Sequence, residues 1–77
     1  MSKIEKLVKL LLSEPPEAKF QDIKFVLEYF NFIEVRSKGS HHIFRHEDGR
    51  MQVIPKVGGK KVKKVYIVQI IRLLQLR

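Results

Sequence analysis

The sequence has no cysteine and no tryptophan, few glycines and prolines, and after position 35 only two acidic residues, Glu47 and Asp48. Without cysteine there is no disulfide to supplement a small core and no thiolate for catalysis or for a metal cage. Proline and glycine are too sparse to dilute the apolar residues, which make up 44% of the 77 and recur at helical and strand spacings. A disordered chain is therefore excluded. No apolar run approaches the roughly 18 residues needed to cross a bilayer, because lysines interrupt both terminal apolar segments. The start Met1-Ser2-Lys3 leads into Ile4 to Leu12, but Lys6 and Lys9 break that stretch and Glu14-Pro15-Pro16 does not resemble a signal-peptide cleavage site, so a cytoplasmic protein with no membrane partner is expected.

What is present is positive charge. The chain carries a formal +8, and its distribution is uneven. Residues 1 to 35 sum to −1, whereas residues 36 to 77 carry 11 basic side chains against Glu47 and Asp48, a sum of +9. A half-molecule this basic attracts a polyanion by releasing condensed counterions, and nucleic acid is the expected one. At this length folding hides only roughly 60% of the surface of the unfolded chain, so residues 1–77 make one domain with a thin stability margin.

Ile4, Leu7, Val8 and Leu11 repeat at helical spacing, predicting an amphipathic helix over residues 2–13, with Ser2 and Glu5 as a capping box and Pro15-Pro16 as its stop. Ile23, Val26, Leu27 and Phe30 predict a second helix over 20–30, ended by Asn31. Three short strands follow. Phe32–Arg36 alternates Ile33 and Val35 with Glu34 and Arg36, Ser40–His46 is closed by the hairpin signal Asp48-Gly49, and Met51–Pro55 ends on proline. Gly58-Gly59 opens a lysine-rich connection, read as flexible, and a last helix runs from near Val65 to Leu76 with Ile67, Ile70, Ile71 and Leu74 on one face. The expected fold is α+β: a three-stranded antiparallel sheet with helices on one face, plus an extra N-terminal helix. From Phe20 onward the order helix-strand-strand-strand-helix is that of double-stranded-RNA-binding domains, and it leaves the other face of the sheet open.

All three histidines, His41, His42 and His46, fall within six positions beside Gly39, flanked by Arg36, Lys38 and Arg45. Successive strand residues point to opposite faces, so His41 and His42 cannot chelate one ion, and His42 and His46 stand roughly 13 Å apart at strand rise. A metal site is therefore not expected. Half-exposed structural histidines are one reading. The other is metal-independent RNA cleavage, in which an imidazole, with an ordinary pKa of about 6.5, removes the proton of a ribose 2′-hydroxyl while cations hold the phosphate. The aromatic residues Phe25, Tyr29, Phe30 and Phe32 have the spacing of core residues, Tyr66 is ambiguous, and Gly58-Gly59-Lys60 lacks the rest of a P-loop.

The run Arg-Ser-Lys-Gly-Ser-His-His-Ile-Phe-Arg-His from Arg36 to His46, the Asp-Gly turn, the strand ending in Ile54-Pro55, the Gly-Lys stretch and the closing helix resemble the HicA (YcfA-like) mRNA interferase toxins of toxin-antitoxin systems. The likeness covers residues from about 19 to the C-terminus, and Gly39-Ser40-His41 is its specific part. It implies a double-stranded-RNA-binding-domain-like fold, ribosome-independent cleavage of mRNA without a cofactor, a catalytic histidine on the second strand, and neutralisation by a HicB antitoxin. Carried over by position, His41 is the expected base and His42 its rival. Arg36, Lys38, Ser40, Arg45, Lys56, Lys60 and Lys61 are the RNA- or phosphate-binding candidates. Many members have a second histidine two positions after the proline that ends the third strand; here Val57 occupies it. The N-terminal helix, absent from the shortest members, is expected to extend the core, with a homodimer or antitoxin contact as its alternative role. A non-catalytic RNA-binding module of the same fold, or a remnant that binds only an acidic protein, would use the same cations differently.

Overall fold

The computed structural model describes residues 2–77. Its elements run α1 (Lys3–Leu12), β1 (Glu17–Lys19), α2 (Phe20–Tyr29), β2 (Phe32–Lys38), β3 (His41–His46), β4 (Met51–Pro55), β5 (Lys61–Lys63) and α3 (Lys64–Leu73). The fold is α+β, with three helices and an antiparallel sheet in the order β2-β3-β4. Two further strands, β1 and β5, pair with each other in a separate antiparallel ribbon, with Ala18 opposite Val62.

Local chemistry accounts for the ends of the helices. The Ser2 side chain accepts the Glu5 backbone N–H while the Glu5 carboxylate accepts the Ser2 N–H, closing the expected capping box on α1. Asn31 ends the α2 segment in the left-handed conformation, φ 70°, which its short polar side chain tolerates. The β2–β3 hairpin turns at Gly39, φ 58°, where a Cβ would be strained.

The core is one cluster drawn from every layer. Leu11 of α1, Ile23, Val26 and Leu27 of α2, and Ile67, Ile70 and Ile71 of α3 pack against Phe32, Phe44 and Ile54, one from each strand of the sheet. Strand alternation then fixes the rest: residues in phase with these three face the helices, and the others face away. Polar ties hold the layers together. Arg50 donates to the Leu73 carbonyl at 3.0 Å, and the Gln52 amide donates to Gln69 Oε1 at 2.8 Å, joining the sheet to α3. Arg77 donates to Glu14 Oε2 at 2.6 Å and to the Leu12 carbonyl at 2.7 Å, joining the C-terminus to α1.

One expectation is corrected and two features are added to the sequence reading. The lysine-rich segment after Gly58-Gly59 is not a flexible connection: Val57 and Lys61 exchange backbone hydrogen bonds at 2.8 Å across a tight turn, and β5 follows. The turn holds Gly59 at φ 68° and Lys60 at φ 66°. The extra ribbon exists because Ala18 and Val62 are both buried, which fixes their neighbours as strand, yet three residues are too few to show a period. The apolar alternation of β2 is real but turned outward, since Phe32 takes the core position and leaves Ile33 and Val35 in solvent, 62% and 50% exposed.

Candidate functional site

A β-bulge organises the face of the sheet opposite the helices. Along β2 and β3 the pairs Phe32↔His46, Ile33↔Arg45 and Glu34↔Phe44 follow one register, and Arg36↔Ile43, Ser37↔His42 and Lys38↔His41 follow another, one residue displaced. Val35 is the extra residue. Had the first register continued, Arg36 would stand opposite His42 on the helix side and Ser37 opposite His41. The bulge instead places Lys38 directly across from His41 and Arg36 diagonal to it, on the open face. His41↔Pro55 completes the row on the β4 side.

The histidine cluster of the sequence is thereby divided. His41 is exposed on the open face. His42 and His46 share the opposite face with Phe44, and His42 is paired with a carboxylate. The His42 side chain, only 12% exposed, donates from Nδ1 to Glu34 Oε2 at 2.5 Å, and its ring lies 4.5 Å from that of Phe20. Its Nε2 is buried with no hydrogen-bond partner. Glu34 also meets Lys24 Nζ at 3.4 Å. The His42 hydrogen bond holds the Glu34 carboxyl below its ordinary range, against the opposing effect of burial, and Lys24 adds to it. His46 Nδ1 accepts the Asp48 backbone N–H at 3.1 Å and packs edge-on against Phe32 at 5.1 Å, a turn-closing role. Among the described residues no three ligating side chains converge on a point that would hold a metal ion.

The cations also separate. Arg45 shares the open face with His41 but stands four residues along β3, about 13 Å at strand rise, beside Ile33 and Met51. There it lines a concavity of about 520 Å³ with Asn31, Ile33, Val35, His46 and Glu47. His41 is not part of that hollow. Ser40 precedes His41 in the turn, and its carbonyl accepts the Lys56 N–H at 2.8 Å. The Lys56 side chain turns to the helix side, with Nζ 4.7 Å from the Phe20 ring centre. Lys60 lies in the turn before β5, and Lys61 faces Glu17 at 3.9 Å. Of the residues expected around the base, the fold brings Arg36, Lys38 and Ser40 to His41 and carries Lys56, Lys60 and Lys61 elsewhere.

Sequence reasoning missed Glu34 as the partner of His42. The signal that could have found it is a carboxylate in phase with Phe32, separated from a strand of histidines by one hairpin. It also missed the apolar character of the open face, where Met51 and Val53 of β4 are 53% and 40% exposed, with Ile33 and Val35 on the far side of β3. No described helix is long and apolar enough to cross a membrane.

Residues 20–76 match the family model described as the HicA toxin of bacterial toxin-antitoxin systems. No curated protein and no solved structure matches the chain. The match begins at the first residue of α2, so α1 and β1 lie outside it, and it contains the whole β2-β3-β4 sheet and all three histidines. The chain belongs to the HicA toxin family of bacterial toxin-antitoxin systems.

Proposed function

We propose that this toxin is an endoribonuclease that cleaves mRNA without a metal ion, with His41 as the general base. The observation that carries the reading is the row formed by the bulge: an exposed imidazole with Lys38 directly opposite and Arg36 diagonal to it. In this reading a single strand lies on the open face. His41 takes the 2′-hydroxyl proton, the 2′-oxygen forms a bond to the adjacent phosphorus, and the bond from phosphorus to the 5′-oxygen breaks. The leaving oxygen receives its proton from solvent, because Val57 stands where many relatives place a second histidine. Lys38 and Arg36 offset the charge that grows on the phosphate oxygens, and Arg45 holds the strand further along.

His42 is the weaker rival. A base must reach its proton, and the buried Nε2 of His42, roofed by Phe20, is on the far side of the sheet from Lys38 and Arg36. Acting on mRNA places the protein in the cytoplasm, and a HicB-like antitoxin is its neutralising partner. The test is induction of the wild type and of His41→Ala in bacteria, with growth and the length of a reporter message as readouts. Wild type is expected to arrest growth and shorten the message, and His41→Ala to do neither. Equal toxicity of the two would remove His41 from the mechanism, and loss of cleavage by purified protein on addition of EDTA would contradict the metal-free route.

A further inference from the structure

A second basic site lies on the helix side of the molecule, around the start of α2. Lys3 of α1, Lys24 of α2, Lys56 after β4 and Lys60 of the following turn converge on one cavity of about 410 Å³. These four come from separate parts of the chain, and only Lys60 belongs to a charge run in the sequence. Two of the ammonium groups are held in place by aromatic faces: Lys3 Nζ lies 4.4 Å from the centre of the Phe25 ring and Lys56 Nζ 4.7 Å from that of Phe20. Lys60 is fixed by its left-handed backbone and by its carbonyl, which accepts the Phe20 N–H at 2.9 Å. Asp22 and Glu28 also line the cavity and Lys24 is paired with Glu34 at 3.4 Å, so Lys3, Lys56 and Lys60 are the lysines that leave it with an excess of positive charge. An adjoining hollow of about 310 Å³ shares Phe20, Gln21 and Lys60 and adds Lys19 and Lys61.

Gathered like charges repel, and such a site gains most when a multivalent anion replaces the loosely held counterions. The geometry points to a second phosphate-backbone anchor in this cleft, which holds the flanking part of the RNA strand whose reacting phosphate lies at His41. The connection is physical. The Lys56 N–H donates to the carbonyl of Ser40, the residue before His41, so a strand leaving the open face at the hairpin turn meets Lys56 and then the cleft. Lys3 belongs to the helix that precedes the family match, so this chain's own N-terminal segment contributes to the site. The anchor rests on the reading of the protein as an RNA-cleaving toxin, and the experiment separates the two.

Binding is measured with non-cleavable 2′-O-methyl oligonucleotides, one of about five nucleotides and one of about fifteen, the span over which single-strand sites range. Wild type, a Lys3→Gln/Lys60→Gly double variant and a Lys6→Gln/Lys9→Gln control of equal charge are compared, with circular dichroism verifying the fold. Lys60→Gly keeps the left-handed turn, since glycine adopts it without strain. The double variant is expected to bind the long strand about tenfold more weakly near 0.15 M salt, with a log–log salt slope reduced by about 1.4, as the loss of two phosphate contacts requires. The short strand and the control are expected to stay within about twofold of wild type, the change left when no contact is lost. Equal losses in double variant and control, or a loss as large for the short strand as for the long one, would overturn the anchor and leave the RNA reading intact. Failure of wild type to bind either strand would overturn both.

Discussion

His41 and His42 are adjacent and chemically identical, and the fold gives them opposite environments. His41 stands in solvent among cations, whereas His42 is wedged under Phe20 and tied to Glu34. Substituting them should therefore separate activity from stability. His41→Ala is expected to change the unfolding free energy by no more than about 0.5 kcal/mol, as at other exposed positions. His42→Ala removes a packed ring and a charge-assisted hydrogen bond, and a loss of about 1–3 kcal/mol in urea denaturation is expected. Glu34 adds a pH signature. Its carboxyl is held below the ordinary value of 4.5 by the hydrogen bond from His42 and by Lys24, so its stabilising contribution is complete above pH 4.5 and is lost as the pH falls through the lower folded value. Glu14 and Asp48 are lowered in the same direction by Arg77 and Arg50, so acid destabilisation of the wild type alone does not isolate Glu34. The comparison that does is with Glu34→Gln: its stability is expected to fall less steeply than wild type below pH 4.5, and parallel acid limbs would show that Glu34 is not selectively stabilised. The sequence displayed the histidine cluster but not this division. Ile43 and Phe44 are both apolar, and only the burial of Phe44 sets the phase that sends His42 inward and His41 out.

At the scale of elements, long periodic segments were legible and short or irregular ones were not. The repeats Ile23, Val26, Leu27 and Ile67, Ile70, Ile71 mark buried helix faces because ten residues span nearly three turns. The ribbon of β1 and β5 joins segments more than forty positions apart in strands of three residues, and no local pattern carries that pairing. The bulge at Val35 was equally hidden, although it decides which cations stand beside His41. Deleting Val35 tests it. The shortened strand forms a plain ladder in which Arg36, Ser37 and Lys38 keep their present partners, so RNA cleavage is expected to survive within a few-fold; loss of cleavage with the fold intact would show that the bulge itself, and not the register it sets, shapes the site. Helix α1 lies outside the family match yet supplies Leu11, 1% exposed, to the core, with Ile4, Leu7 and Leu12 packed around it. Core extension is thus its structural role. Leu11→Ala is expected to cost about 2–5 kcal/mol, which for a domain this small lowers Tm by at least roughly 10 °C. A thermal midpoint within about 2 °C of wild type would mean that the residues from α2 onward carry the fold without it.

Seen whole, the +8 of the chain is not one basic surface. Two groups of cations stand on opposite sides of the sheet: Arg36, Lys38 and Arg45 among exposed apolar side chains on the open face, and the lysine cleft on the helix side. The apolar share of the open face matters for function because it lets charge be altered there without touching the core. Val53, paired with Ile43 and so diagonal to His41, projects on that face and makes no contribution to the buried cluster. Val53→Asp sets a carboxylate about 7–8 Å from His41 in the diagonal geometry, within one Debye length at physiological salt. Val53→Asn removes the same apolar surface and strand preference without the charge. Both variants are expected to lose no more than about 1 kcal/mol of stability, the full span of strand propensity. RNA cleavage by the aspartate variant is expected to fall about three- to tenfold below that of the asparagine variant at 50 mM salt, and the gap to close towards 0.5 M as screening shortens the reach of the charge. The paired comparison removes hydrophobicity and folding from the result, so cleavage rates that coincide at every salt concentration would place the reacting phosphate somewhere other than the face that bears His41.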